Sequence, residues 1–305
     1  MTWPRKSSGK PPADFSVCSN GFKSRAGLKR RVTTWASALA VLGAWLHGVI
    51  PVVQVARPVT YRAIWSGENN HMCGRYVMSK ASGDLLSHFD AKEVEGSLPP
   101  PSWNVAPTEP VPIVAERLDE GSIERHLLVA HWGLVPSWAK DIKIGNKLIN
   151  ARSESILEKP AFRKAAVKRR AVLPADGYYE WQKTEDGKKI PNYLYSEKEP
   201  MLGFAGLYEW WADPSVPEDD PGRWLLSCTV LTTTAQDSLG HVHDRSPVII
   251  PRDRFAEWLD PDLTDKNDIQ HLLDTLPEPV LTPRVVSTRV NSVRNDGPEL
   301  IEPAE

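Results

Sequence analysis

After residue 72 the apolar residues fall in short runs of strand length, and a turn-forming cluster interrupts nearly every one. Val111–Ala115 and Arg125–Trp132 flank Asp119-Glu-Gly121, and Tyr178–Gln182 and Ile190–Tyr195 flank Glu185-Asp-Gly187, a strong hairpin signal. Residues 73–78, 171–173, 204–210, 224–233 and 285–286 are further strand candidates. Helical spacing is confined to residues 79–95, with Ser79 as N-cap, and to 252–258 and 265–276, while 149–158 and 160–170 are helix or loop. With 27 prolines against 19 glycines the connections are stiff, and no βαβ alternation is present. The pattern predicts an α+β fold with a mostly antiparallel, barrel-like β core and flanking helices.

Charge divides the chain. Residues 1–71 carry ten Lys and Arg against two Asp and Glu, a net of +8. The remainder carries 27 against 37, a net of −10, out of 37 and 39 overall. A split this sharp marks two segments of different origin. Residues 1–31 read as disordered. The apolar stretch Trp35–Ala56 follows a basic flank, as a signal peptide or anchor would, but His47, Pro51 and Gln54 interrupt it. The expectation is therefore an N-terminal extension (1–71), disordered or arising from a start placed upstream of Met72, followed by a single catalytic domain (72–305). Three cysteines supply no disulfide framework, which favours a reducing, cytoplasmic compartment. No internal repeat, Gly-rich phosphate loop or Walker motif is present, so no cofactor is expected.

Chemistry concentrates in a few places. Cys73 follows Met72 and precedes Gly74, the context in which an initiator Met is removed. An N-terminal Cys is a 1,2-aminothiol, and its thiol and amine together close a five-membered thiazolidine on an aldehyde; a buried core cysteine is the ordinary alternative. Glu180, between Tyr179 and Trp181, is either an acid–base carboxyl in apolar surroundings or an edge-strand side chain facing water. His243 beside Asp244 and Arg245 suits acid–base work next to a phosphate ligand, against the reading of a plain surface histidine. His241 and His243 alternate as on a strand, yet no CxxC or HExxH supports a metal, and none is expected. Asn150 and Arg152 offer an amide and a guanidinium to an anionic backbone, although Asn in a turn is equally ordinary. Lys159–Arg170 holds six basic residues and no acid. Near Trp132 and Trp138 it joins phosphate attraction to base stacking, the combination that binds single strands, though such runs are usually solvated helix faces.

Cys73-Gly-Arg-Tyr76, Asn104-Val-Ala-Pro107, Trp132-Gly-Leu-Val-Pro136, Asn150-Ala-Arg-Ser-Glu154, Gly177-Tyr-Tyr-Glu-Trp181 and His243-Asp-Arg-Ser-Pro247 resemble, in order, the motifs of the SOS response-associated peptidase (SRAP) family of abasic-site processing proteins. The resemblance spans about residues 72–290. It implies a DNA-repair protein that binds single-stranded DNA bearing an abasic site and crosslinks to it through Cys73, with autopeptidase and lyase activity. It also implies proton transfer by Glu180 and His243, adduct positioning by Asn150, phosphate contacts from Arg75, Arg152 and Arg245, and base stacking on Trp132.

An abasic sugar exposes an aldehyde, so the aminothiol chemistry agrees with this independently. Two departures stand out. Ser246 occupies a position where Met is common, and Cys73 is internal as written, so a start at Met72 or removal of residues 1–72 is required. The rival expectations are an N-terminal-nucleophile cysteine peptidase or amidohydrolase, and a non-catalytic single-strand-binding module. The expected partner is abasic single-stranded DNA, with no membrane and a monomeric chain, nucleoid-associated when on damaged DNA. The acidic domain predicts weak, salt-sensitive affinity for undamaged strands.

Overall fold

The computed structural model describes residues 74–92, 94–119, 122–235 and 242–305. The N-terminal extension, Cys73, Cys18, His241 and the tip of the Asp119–Gly121 turn lie outside the described residues. The strands are β1 (Tyr76–Met78), β2 (Val94–Glu95), β3 (Ser102–Val105), β4 (Pro110–Asp119), β5 (Ser122–Trp132), β6 (Asn150–Arg152) and β7 (Arg170–Ala175). They continue with β8 (Gly177–Lys183), β9 (Lys189–Tyr195), β10 (Leu202–Ala212), β11 (Trp224–Thr234), β12 (Arg245–Pro247) and β13 (Thr282–Val285). Four short helices accompany them: α1 (Ser82–Phe89), α2 (Arg163–Lys168), α3 (Phe255–Leu259) and α4 (Lys266–Asp274).

Hairpins dictate the topology. β4 and β5 pair from Pro110–His131 to Asp119–Ser122, and β10 pairs antiparallel with both β7 and β11. The run β11-β10-β7-β4-β5 then closes on itself, because β5 returns to β11 in parallel, with Ser227 opposite His131 and Cys228 opposite Trp132. The barrel-like α+β expectation is met by this five-strand closure. β6 adds to β11 in parallel and β12 adds antiparallel, so both flank the same strand.

A second sheet, β13-β9-β8-β1-β3, is antiparallel throughout. Alternation along its strands divides side chains between two cores. Tyr76 and Tyr178 face the barrel core, where their rings meet Phe204 at 6.0 and 5.8 Å. Val77, Tyr179 and Tyr193 face the other way, onto Val286 and Val290 of the C-terminal segment. Both faces are buried at the start of β8, so Tyr178 and Tyr179 stand side by side instead of alternating with polar residues.

Three local expectations need correction. Ser79 does not cap a helix: its hydroxyl and amide donate to the Asp176 carboxylate at 2.5 and 2.7 Å, and α1 starts three residues later. Residues 149–158 supply strand β6 and a 3-10 turn rather than a helix. His243 lies in the turn before β12, not on a strand. Among the described residues, no helix is long and apolar enough to cross a membrane.

Candidate functional site

The segment that enters β6 is set by a close backbone crossing. A Cβ on Gly145 would lie 2.6 Å from the Gly133 carbonyl oxygen, and one on Gly133 would lie 2.8 Å from that of Gly145. Two glycines therefore let the 3-10 turn Ile142–Lys147 lie directly on the Trp132–Pro136 turn. Trp132 anchors the start of β6. Its ring is 1 % exposed and packs edge-on against Tyr76 at 5.2 Å, and its indole N–H donates to the Ile149 carbonyl at 3.0 Å. That carbonyl also accepts from the Val230 amide, so the peptide preceding Asn150 is held twice. Trp132 accordingly cannot stack on a base: both of its faces are closed in the core. This overturns the role the resemblance implied for it.

Asn150 instead borders a groove of about 420 Å3, together with Trp138, Lys147, Arg152, Lys159 and Phe162. Among the described residues, three cations line it and no carboxylate does. Trp138, only six residues past Trp132, is 57 % exposed and supplies an apolar face there. The basic run was expected to act near tryptophan, and Lys159, Arg163, Lys164 and Lys168 are exposed. Its last two members are structural. Arg169 pairs with Glu209 at 2.6 Å, while Arg170 donates to the carbonyls of Trp258, Ala166, Val167 and Asp260. Burial pulls the Arg170 guanidinium down to about 10.

At the end of β11 the remaining candidates gather. Arg152 lies opposite Thr232, and Arg245 opposite Thr234. The Arg245 guanidinium donates to both Glu154 carboxylate oxygens, at 2.6 and 3.0 Å, and to the Thr232 carbonyl at 2.7 Å. These bonds hold the Glu154 carboxyl below the usual carboxylate range. The Arg245 amide donates to His243 Nδ1 at 3.1 Å, and an Asp244 carboxylate oxygen lies 2.8 Å from that nitrogen. Nδ1 cannot serve both: as an acceptor from the amide it carries no proton, whereas a bond to Asp244 requires one. The amide bond goes with a neutral ring protonated on Nε2, and the contact with the exposed Asp244 carboxylate goes with a proton on Nδ1.

The other half of the expected set sits in the second sheet. Glu180, on β8 opposite Asn192, is 4 % exposed between β9 and β1. The edge-strand, water-facing alternative is thereby excluded. The Tyr179 amide donates to the Arg75 carbonyl at 3.0 Å, and the pair is antiparallel, so Gly74 runs toward the Glu180 end of β8. Arg75 is a clamp rather than a phosphate ligand. It is 8 % exposed, and its guanidinium donates to Asn104 Oδ1 at 2.7 Å and to the carbonyls of Val290 and Asn291 at 2.9 and 3.4 Å. Burial lowers its pKa against the opposing pull of Glu109. Asn104 extends the clamp through Nδ2 to the Ser292 and Asn295 carbonyls.

The structure thus brings Asn150, Arg152, Arg245 and His243 to one strand end. A Tyr76–Trp132–Ile149 chain of contacts connects that end to β1. Lys147 was missed by sequence reasoning, although its position three residues before Asn150 placed it within reach. Among the described residues, no three His, Cys, Asp or Glu converge as metal ligands. Cys228 is wholly buried and its thiol is pushed up by desolvation, which removes it as a nucleophile.

A family model described as SOS response associated peptidase (SRAP) matches residues 72–293. Abasic site processing protein YoqW of Bacillus subtilis is 40% identical over 233 residues, which are 76% of this chain and 99% of that protein. Abasic site processing protein HMCES of Gallus gallus is 31% identical over 271 residues, covering 77% of this chain and 78% of the relative. Among solved structures, a protein from Bacteroides thetaiotaomicron superposes with a TM-score of 0.63 at 26% identity, over 76% of this chain and 100% of its own.

Proposed function

The chain belongs to the SOS response associated peptidase family, and from that premise we propose that it processes abasic sites in single-stranded DNA during the response to DNA damage. The observation that carries this reading is the groove beside Asn150, where three cations and an exposed tryptophan meet with no carboxylate among the lining residues. Cations that track phosphates and a ring that stacks on any base suit a target defined by a missing base rather than by sequence. In a domain whose net charge is −10, such a groove is also the local positive field that an acidic protein needs to hold an anion.

The chemistry is supplied by Cys73 once residues 1–72 are absent, whether through initiation at Met72 or through cleavage by the protein itself. The freed amine attacks the sugar aldehyde, and the resulting carbinolamine loses one water to give an imine. The thiolate then adds to the imine carbon, the nitrogen takes a proton, and the thiazolidine closes. Gly74, the next residue in the chain after Cys73, leads into β1 beside β8. Glu180, withdrawn from water, is assigned the proton transfers of condensation and reversal. His243, with a proton on Nε2, is assigned donation during ring opening and strand cleavage, and Asn150 the orientation of the adduct. Arg152, Lys147 and Lys159 hold phosphates and Trp138 takes the stacking role. A monomer of residues 72–305, acting in the cytoplasm and joining the nucleoid at damage, completes the reading.

The test is intact mass of the full chain and of the chain begun at Met72, each incubated with an abasic oligonucleotide and then denatured. The expected result is loss of the initiator Met from the shorter chain. A gain of the oligonucleotide mass less one water follows, absent with an intact strand and absent in Cys73→Ala. Met loss without an adduct defeats the crosslinking chemistry. Turnover of peptide or amide substrates without DNA would then establish the cysteine peptidase instead.

A further inference from the structure

We infer that Glu154 is a positioning residue for His243 and acts through Arg245. The 3-10 turn Ser153–Ser155, which follows Arg152 directly, sets the Glu154 carboxylate beside β11. There it meets the Arg245 guanidinium in a two-pronged ion pair, Nη1 to Oε1 at 2.6 Å and Nη2 to Oε2 at 3.0 Å. A third bond to the Thr232 carbonyl, 2.7 Å, ties the same planar group to β11. With the Thr232 and Thr234 hydroxyls at 3.3 Å, five contacts on two elements leave the arginine one orientation, because the fork matches the carboxylate and the plane admits little rotation.

The consequence reaches the imidazole through the backbone. The amide of Arg245 donates to His243 Nδ1 at 3.1 Å. An amide can only donate, so while this bond stands the neutral ring carries its proton on Nε2. Among the described residues, Asp244 and Arg245 contact the ring from its own segment, and Glu154 is joined to it through the Arg245 ion pair. Asp244 competes for Nδ1 at 2.8 Å, and it wins only if the ring takes a proton there. Without Glu154, the arginine loses its bidentate partner, the Asp244–Arg245 peptide is held by its pairing with β11 alone, and the ring divides between the two tautomers. A group that must donate from Nε2 is then correctly protonated only part of the time.

The kinetic half of the test rests on the abasic-site reading; the spectroscopic half does not. Glu154→Gln in the full chain, labelled with 15N histidine, is expected to move His243 from the Nε2-protonated signature to a mixture of tautomers. In the chain begun at Met72, crosslinking to an abasic oligonucleotide at saturating DNA is expected to slow roughly tenfold or more, with the half-saturating DNA concentration changed less than about twofold, and Glu154→Asp recovers part of the rate. An unchanged tautomer overturns the proposal. So does an unchanged rate accompanied by tighter DNA binding, which would make Glu154 a mask over Arg245. Should Glu154→Gln fail to fold, Arg245→Lys keeps the charge without the fork and must show the same tautomer shift, or the proposal falls. A wild type that forms no adduct defeats the abasic-site reading alone, since the tautomer is read without DNA.

Discussion

The β1–β8 pair and the groove beside β6 are built from the same residue types, arginine or lysine next to tryptophan, and use them in opposite ways. In the first, Arg75 lies 6.0 Å from the Trp181 ring and its guanidinium donates to amide and carbonyl oxygens of the protein. In the second, Lys147, Arg152 and Lys159 keep exposed heads around Trp138. The first arrangement is a frame: a desolvated cation is tolerable only when carbonyl and amide oxygens replace its water. The second is a surface held ready for an anion from outside. Residue type therefore does not separate frame from contact; the availability of water to the charged head does.

The sharpest way to break this comparison is the tryptophan pair. Trp132→Ala removes a core side chain and the hydrogen bond to Ile149, and should destabilise the fold by about 3–5 kcal/mol in urea unfolding. A Trp132→Ala protein of normal stability that no longer binds single strands would show that the ring serves DNA after all. Next in size is Arg75→Met, which strands Asn104 Oδ1 and the Asn291 carbonyl and leaves the Val290 carbonyl only its 3.4 Å bond from Asn104 Nδ2. We expect a loss of about 3 kcal/mol, with the salt dependence of DNA binding unchanged in the folded protein. A reduced salt slope for this variant would return Arg75 to the phosphate contacts.

The parts of the molecule that were legible in the sequence are those with local causes. The β4–β5 and β8–β9 hairpins are written in apolar runs around turn residues, and the basic run Lys159–Arg170 is contiguous in the sequence. Closure of the barrel was legible only as a class, because the parallel contact of β5 with β11 joins residues nearly a hundred positions apart. The Arg75 clamp reaches Val290 across 215 positions. Trp132 illustrates the limit most directly: a Trp before Gly in a polar-flanked turn has the same local signature whether its ring faces solvent or Tyr76. Glu180 shows the converse. The neighbours Tyr179 and Trp181 marked it as a carboxylate in apolar surroundings, but burial followed only once β8 was seen to lie between two other strands.

Trp138→Ala tests the groove side of the comparison. The ring touches solvent, so stability should stay within about 0.5 kcal/mol of the parent, while affinity for single-stranded DNA should fall by about 1–3 kcal/mol if one base stacks there. Unchanged affinity would leave the groove a cluster of cations without a stacking partner. The outcome separates two readings of one surface, since electrostatic attraction alone discriminates poorly between strands with and without a missing base.

The smallest expected effects belong to the single cations, and they are the most diagnostic because they are additive in form. Substituting Lys147, Arg152 or Lys159 by Ala, one at a time, should weaken binding several-fold at low salt and less at high salt. Each phosphate contact releases its own condensed counterions, so each substitution should flatten the slope of log K against log salt by about 0.7 for a single strand. Crosslinking at saturating DNA should be unaffected by Lys147→Ala and Lys159→Ala, since those residues hold the backbone and touch no reacting atom. If the slope is unmoved by all three and is flattened instead by Arg245→Ala, the anion lies over the Glu154 pair rather than along the groove. The division between frame and contact would then have to be redrawn at β11.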